Sequence, residues 1–230
     1  VSHVFLADIP AYPKLLAISD AAVNIAPDLS AKAAILQHAI DLMASIGVDL
    51  PKAAILSAVE TVNPLISSSL DAAALSVMSL RGQVRGAVVD GPLAFDNAIS
   101  LKAAEIKGIA SPVAGDADIL LVPDLVSGNI LAKSLEYMAD ATLAGLVLGL
   151  NAPIVLPSRA DPVDARLAGL ALARLSLAAK ARESAPQDKA PVWPVHATRS
   201  SPMPEVDCCP PSDPTPTSPT SLNGGAHAEP

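Results

Sequence analysis

Short apolar runs alternate with longer stretches of helical period along the first 179 residues of this chain. The apolar runs fall at residues 4–7, 15–18, 53–58, 86–90, 119–122, 143–148 and 154–156. Between them, at residues 29–46, 69–80, 96–106, 128–139 and 162–179, apolar side chains recur three and four positions apart. Strand and helix in repeated alternation predict an α/β fold, a mainly parallel sheet with flanking helices and right-handed crossovers. Aromatic residues make up only 2% of a chain that is 51% hydrophobic, so its core must be built from Ala, Leu, Ile and Val in close layers. Such layers suit helices lying on a parallel sheet.

Several element ends carry their own signals. Asp28 is placed to cap the helix at 29–46, whose apolar face is Ala33, Ile35, Leu36, Ile40, Leu42 and Met43, and Gly47 ends it. Arg81 and Gly82 close the helix at 69–80. The helix at 128–139 is expected to turn Ile130, Leu131, Leu135 and Met138 inward. Half of the 22 prolines lie after Ala185, in a stretch of Pro, Ser, Thr, Asp and Gly too poor in branched aliphatics to offset the entropy of ordering. Residues 180–230 are therefore expected to form a disordered C-terminal tail.

Charge and motifs exclude whole classes of function. A net charge of −8 is the wrong sign for a protein that tracks a phosphate backbone, so no nucleic-acid partner is expected. The longest apolar stretch, residues 143–156, is interrupted by Gly145, Gly149, Asn151 and Pro153 and falls short of the ~20 residues that span a bilayer. No membrane partner is expected, no basic and apolar leader opens the chain, and a cytoplasmic location follows as the expectation. Cys208 and Cys209 are adjacent, and with His196 they make neither a disulfide framework nor a zinc site, so no metal is expected. His3, His38, His196 and His227 are too scattered for a triad, and no nucleophile elbow, P-loop or dinucleotide fingerprint occurs.

What remains is a set of polar groups at strand exits. The run V-A-G-D-A-D-I-L-L-V-P-D-L at 113–125 reads as a buried strand delivering Asp124, Gly128 and Asn129 beyond its carboxyl end. Turn and cap chemistry accounts for these three, and so does a ligand cleft. Ser158, Arg159, Ala160 and Asp161 follow the run at 154–156, with Pro162 suited to the first turn of a helix. A guanidinium beside free amides at a helix start receives phosphate well; a capping serine with a surface ion pair is the alternative. Because ligands of open α/β sheets sit beyond the carboxyl ends of strands, Glu60, Asp90, Asp124, Ser158 and Arg159 are expected on one rim.

These blocks resemble the phosphate acetyltransferase and phosphate butyryltransferase family, in which P-D-L/I-x-x-G-N-x-L-x-K and S-R-A-D follow two different strands. The runs A-V-E-T-V-N-P at 58–64, D-G-P-L-A-F-D-N-A at 90–98 and K-G-I-A-S-P-V-A-G-D-A-D at 107–118 are similar to its butyryltransferase-like branch. The resemblance covers residues 1–173. It implies transfer of an acetyl or butyryl group between coenzyme A and inorganic phosphate, with no cofactor beyond the coenzyme A thioester that serves as substrate. It also implies homo-oligomers.

By the same resemblance Arg159 binds phosphate, Ser158 hydrogen-bonds the oxyanion and Asp161 moves the thiol proton, with Asp164 as the other candidate acid. Asp90, Asp124, Gly128 and Asn129 would contact substrate. The implied fold is a two-domain isocitrate and isopropylmalate dehydrogenase-like architecture. Within a transferase domain at 1–179, residues 15–118 form the middle domain and 119–179 return to a first domain that is incomplete at its amino end. A catalytically inactive fragment that binds coenzyme A thioesters or acts as an interaction domain is the alternative reading.

Overall fold

In the computed structural model, which describes residues 1–184, the elements run β1 (Ser2–Asp8), β2 (Leu16–Ser19), α1 (Leu29–Ser45), β3 (Lys52–Leu56), α2 (Ser67–Leu80), β4 (Val88–Leu93), α3 (Phe95–Ile99), α4 (Leu101–Ile106), β5 (Ile119–Leu121), α5 (Leu125–Met138), β6 (Thr142–Leu148), β7 (Ile154–Val155) and α6 (Val163–Ser184). The strands form one seven-stranded sheet in the order β4-β3-β5-β2-β1-β6-β7.

Four neighbouring strands, β4, β3, β5 and β2, are parallel, as the alternation predicts. The other flank departs from it. Seven residues, 9–15, join β1 to β2, and five, 149–153, join β6 to β7. A parallel crossover takes a dozen residues or more, so both connections reverse the chain. β1 is antiparallel to β2 and to β6, and β7 is antiparallel to β6. Residues 119–121, expected to open a different domain from residues 15–118, pair with β2 on one side and β3 on the other. The described residues all belong to one compact unit.

Side chains alternate across the sheet and build a core on each face. Val4, Leu6, Ala53, Ile55, Ile119 and Leu121 meet Leu36, Ile40 and Met43 of α1, Leu75 of α2 and Leu172 of α6. Phe5, Ala7, Ile18, Ala54 and Leu120 meet Ala98 of α3, Ala104 of α4 and Ala132 of α5. Small residues at these contacts let the helices lie close, which is how a core with so few aromatics is filled.

The helix ends show which signals were local. Asp28 caps α1 as expected, its side chain accepting from the Ala31 amide at 2.8 Å. The helix expected at 96–106 is instead two short ones. The carbonyls of Asn97 and Ala98, which would continue the ladder, accept from the amides of Gly115 and Ala117, and Ser100 caps a new start. α5 begins a turn before Gly128 and buries Gly128 and Ala132, while Ile130 and Met138, expected inside, are 61% and 86% exposed. α6 continues through Ser184, so residues 180–184 are helical, not tail. The remaining tail, with His196, Cys208 and Cys209, lies outside the described residues. Among the described residues no helix is long and apolar enough to cross a membrane.

Candidate active site

The residues expected on one rim are not brought together. Asp90 lies on β4 at one edge of the sheet, and Ser158 lies beyond β7 at the other. Five strands stand between β4 and β7, a span of about 29 Å at ~4.8 Å per strand. The exit of β7 also faces the other way, because β7 runs against β6 and hence against β2, β3 and β5. The strand-end rule assumed a parallel β7.

At the carboxyl exits of the parallel strands the polar groups are engaged inside the fold. The Glu60 carboxylate accepts from the Lys107 ammonium and the Asn97 amide, each at 2.6 Å. Asp90 accepts from the amide of Gly91 at 2.9 Å. Asp124 caps α5, its carboxylate accepting from the Ser127 amide at 2.9 Å while its carbonyl accepts from the Ser127 hydroxyl. A Cβ on Gly128 would stand 2.7 Å from a Val122 methyl and 3.0 Å from the Asp20 carbonyl, so glycine is needed where α5 crosses the end of β2. Asn129 donates to the Ala21 carbonyl at 3.3 Å. Cap and close packing account for these three residues.

Residues 158–161 are arranged differently. The Asp161 carboxylate accepts from the Ser158 amide at 2.7 Å, and the Asp161 amide donates to the Ser158 carbonyl at 3.2 Å, closing a tight turn before α6. Asp161 is buried while Arg159 is exposed. Among the described residues neither the Ser158 hydroxyl nor the Arg159 guanidinium has a partner. A rigid turn thus presents one hydroxyl and one unpaired cation, an arrangement suited to a small oxyanion.

Three residues near this turn were not singled out from the sequence. Lys133 of α5 feels the charge of Asp161 and pairs with Glu136 at 2.6 Å. Burial alone would lower its pKa, but the Glu136 hydrogen bond and the nearby carboxylates hold it above the ordinary lysine value. Arg166, one turn into α6, donates from Nε to the Asp161 carbonyl and from Nη2 to the Arg159 carbonyl, both at 3.3 Å. His3 of β1 is fully buried with neither ring nitrogen bonded, its ring edge-on to Phe5 at 4.3 Å. Burial pushes its pKa down to about 4 against a weaker pull from Asp20. Lys133 ends the P-D-L-V-S-G-N-I-L-A-K run at 123–133, but its neighbour Asp161 is distant in sequence; no motif signalled Arg166 or His3, which matter through backbone carbonyls and through burial.

A parallel-cored α/β sheet with helices on both faces, and a serine-arginine turn leading into a helix, together define the class of protein. The chain belongs to the family described as Phosphate acetyl/butaryl transferase, which it matches over residues 1–173. It is 59% identical over 175 residues to a phosphate acetyltransferase of Rhizobium meliloti, covering 76% of this chain and 55% of that protein. It is 51% identical over 173 residues to a probable phosphate butyryltransferase of Bacillus subtilis (strain 168), covering 75% of this chain and 58% of that one. A branched-chain phosphotransacylase from Enterococcus faecalis V583 has a similar structure, with a TM-score of 0.71 and 36% identity over 76% of this chain and 63% of that chain. The chain spans little more than half the length of the curated relatives it matches.

Proposed function

We propose that the chain carries the acyl-transfer site of a phosphate acyltransferase, which moves an acetyl or butyryl group between coenzyme A and inorganic phosphate. The observation that carries the reading is the turn at 158–161, where the unpartnered Ser158 hydroxyl and Arg159 guanidinium lie within the matched residues. Phosphate at neutral pH is already an oxygen nucleophile, so the protein has only to hold it against the thioester carbonyl and steady the oxyanion.

In this reading Arg159 binds phosphate and Ser158 donates to the oxyanion. A phosphate oxygen bonds to the carbonyl carbon, the carbon–sulfur bond breaks, and the proton carried by phosphate passes through Asp161 to the leaving thiolate. One Asp161 oxygen is held by the Ser158 amide, which leaves the other for the proton. Asp164, exposed in the first turn of α6, is the competing acid. Asp90, Asp124, Gly128 and Asn129 reach substrate in this reading only in the assembled protein, whose arrangement we take to be two-domain and dehydrogenase-like. A cytoplasmic homo-oligomer completes it. No cofactor enters the chemistry.

The test is thiol release from acetyl-CoA and butyryl-CoA, with and without phosphate, on this chain and on Arg159→Ala. Phosphate-dependent release that vanishes in the variant is the expected result, and the faster thioester sets the chain-length preference. Binding of the thioester with no release under any condition overturns catalysis by this chain and leaves the binding-domain reading.

A further inference from the structure

The turn that holds Ser158 and Arg159 is fixed from both sides by residues outside the proposed chemistry. On its upstream side the Leu156 amide donates to the Gly145 carbonyl at 3.1 Å. A Cβ on Gly145 would stand 2.8 Å from the Leu156 carbonyl oxygen, 3.0 Å from His3 Nε2 and 3.1 Å from Phe5 Cε1. The bare Cα of Gly145 is therefore what lets the chain leave β7 so close to β6. On the downstream side the Arg166 guanidinium spans two carbonyls of the turn itself, Arg159 and Asp161. A planar fork holds two acceptors in one fixed geometry, whereas the rotatable donors of a lysine ammonium impose none.

We propose that Arg166 and Gly145 are positioning residues that set the direction of the Arg159 guanidinium, and so the affinity of the site for phosphate. The inference rests on the phosphate-binding reading of Arg159. Arg166 acts through the backbone of the turn, and its charge is incidental. Gly145 acts by the absence of a side chain, and since one of the two closest atoms is backbone, removing the His3 ring does not relieve the clash.

The test is steady-state kinetics with phosphate and acyl-CoA varied separately, on the chain and on Arg166→Lys, Arg166→Ala and Gly145→Ala, with thermal melting as a check on folding. Loss of a two-point brace is expected to raise the phosphate KM about tenfold or more, for Lys as for Ala, with the acyl-CoA KM within about twofold of the parent. A parent-like phosphate KM in Arg166→Lys overturns the brace and assigns Arg166 a purely electrostatic part. If Gly145→Ala fails to fold, Arg166→Lys alone decides.

Should the chain release no thiol, inorganic phosphate binding followed by ³¹P line broadening replaces turnover. Binding lost in Arg166→Lys supports the brace, and binding retained overturns it. An Arg159→Ala variant with unchanged phosphate response overturns the parent reading. A fault in Arg166 and Gly145 alone leaves that reading intact.

Discussion

The exit of β5 and the exit of β7 each present aspartate, serine and a following helix, yet they use them differently. At β5 the Asp124 carboxylate points forward and caps α5, Gly128 seats the helix on the end of β2, and Asn129 ties it to Ala21. At β7 the Asp161 carboxylate points back to the Ser158 amide, and the side chains left over are a hydroxyl and a guanidinium without partners. The first arrangement converts polar residues into stability. The second uses one carboxylate to close a turn and leaves a half-buried hydroxyl and an exposed guanidinium unpartnered, which costs stability little and is what a binding site requires. Substitutions at the two exits should therefore separate stability from function.

The largest stability effect is expected from pH, on the β7 flank. His3 is neutral when folded and titrates at about 4, against about 6.5 when unfolded. Above pH 6.5 it contributes nothing. As pH falls below 6.5 the unfolded chain takes up a proton that the folded chain refuses, so stability drops until pH 4, by roughly 3 kcal/mol in all. Melting temperatures of the parent and His3→Leu between pH 4 and 7 should show a steeper acid decline in the parent; equal slopes would assign that decline to carboxylates alone.

Gly128→Ala comes next. The added methyl meets Val122 and the backbone of residues 20 and 21, and overpacking of this kind costs about 2 kcal/mol, a fall of roughly 4–8 °C in melting temperature. Asp124→Ala removes a cap and is expected to cost about 1 kcal/mol with no change in the acyl-CoA KM. An altered KM there would give Asp124 a part in the cleft and narrow the contrast between the exits. Arg159→Ala should change stability by no more than about 0.5 kcal/mol while abolishing the phosphate response. A large fall in its melting temperature would show that the guanidinium is structural after all.

Much of this fold could be read along the chain because its signals are local. Asp28 and Gly47 bracket α1, each acting on backbone within a few residues of itself, and the four parallel strands are separated by connections long enough for crossovers. The reversal at β1 and β7 was legible too, in connections of seven and five residues, but the alternation of elements was given more weight than their spacing. The break between α3 and α4 was not legible, because the donors that capture the carbonyls of Asn97 and Ala98 lie at Gly115 and Ala117. Nor was the exposure of Ile130 and Met138, since helical period marks an apolar stripe without saying which part of it meets the sheet.

The sequence by itself determined the family, the order of strands and helices apart from the break between α3 and α4, and the Ser158-Arg159 pair, since each is written in neighbouring residues. Only the tertiary structure decided which polar groups are engaged in the fold and which are left over. Asp124 and Asp161 look alike in sequence. The first is bound to the amide of a helix it starts, and the second to the amide of a turn it closes. The grip of Arg166 on that turn, and the approach permitted by Gly145, depend on where a reversed edge strand lies against β6. Pairing across the sheet sets that position, and no local propensity encodes it.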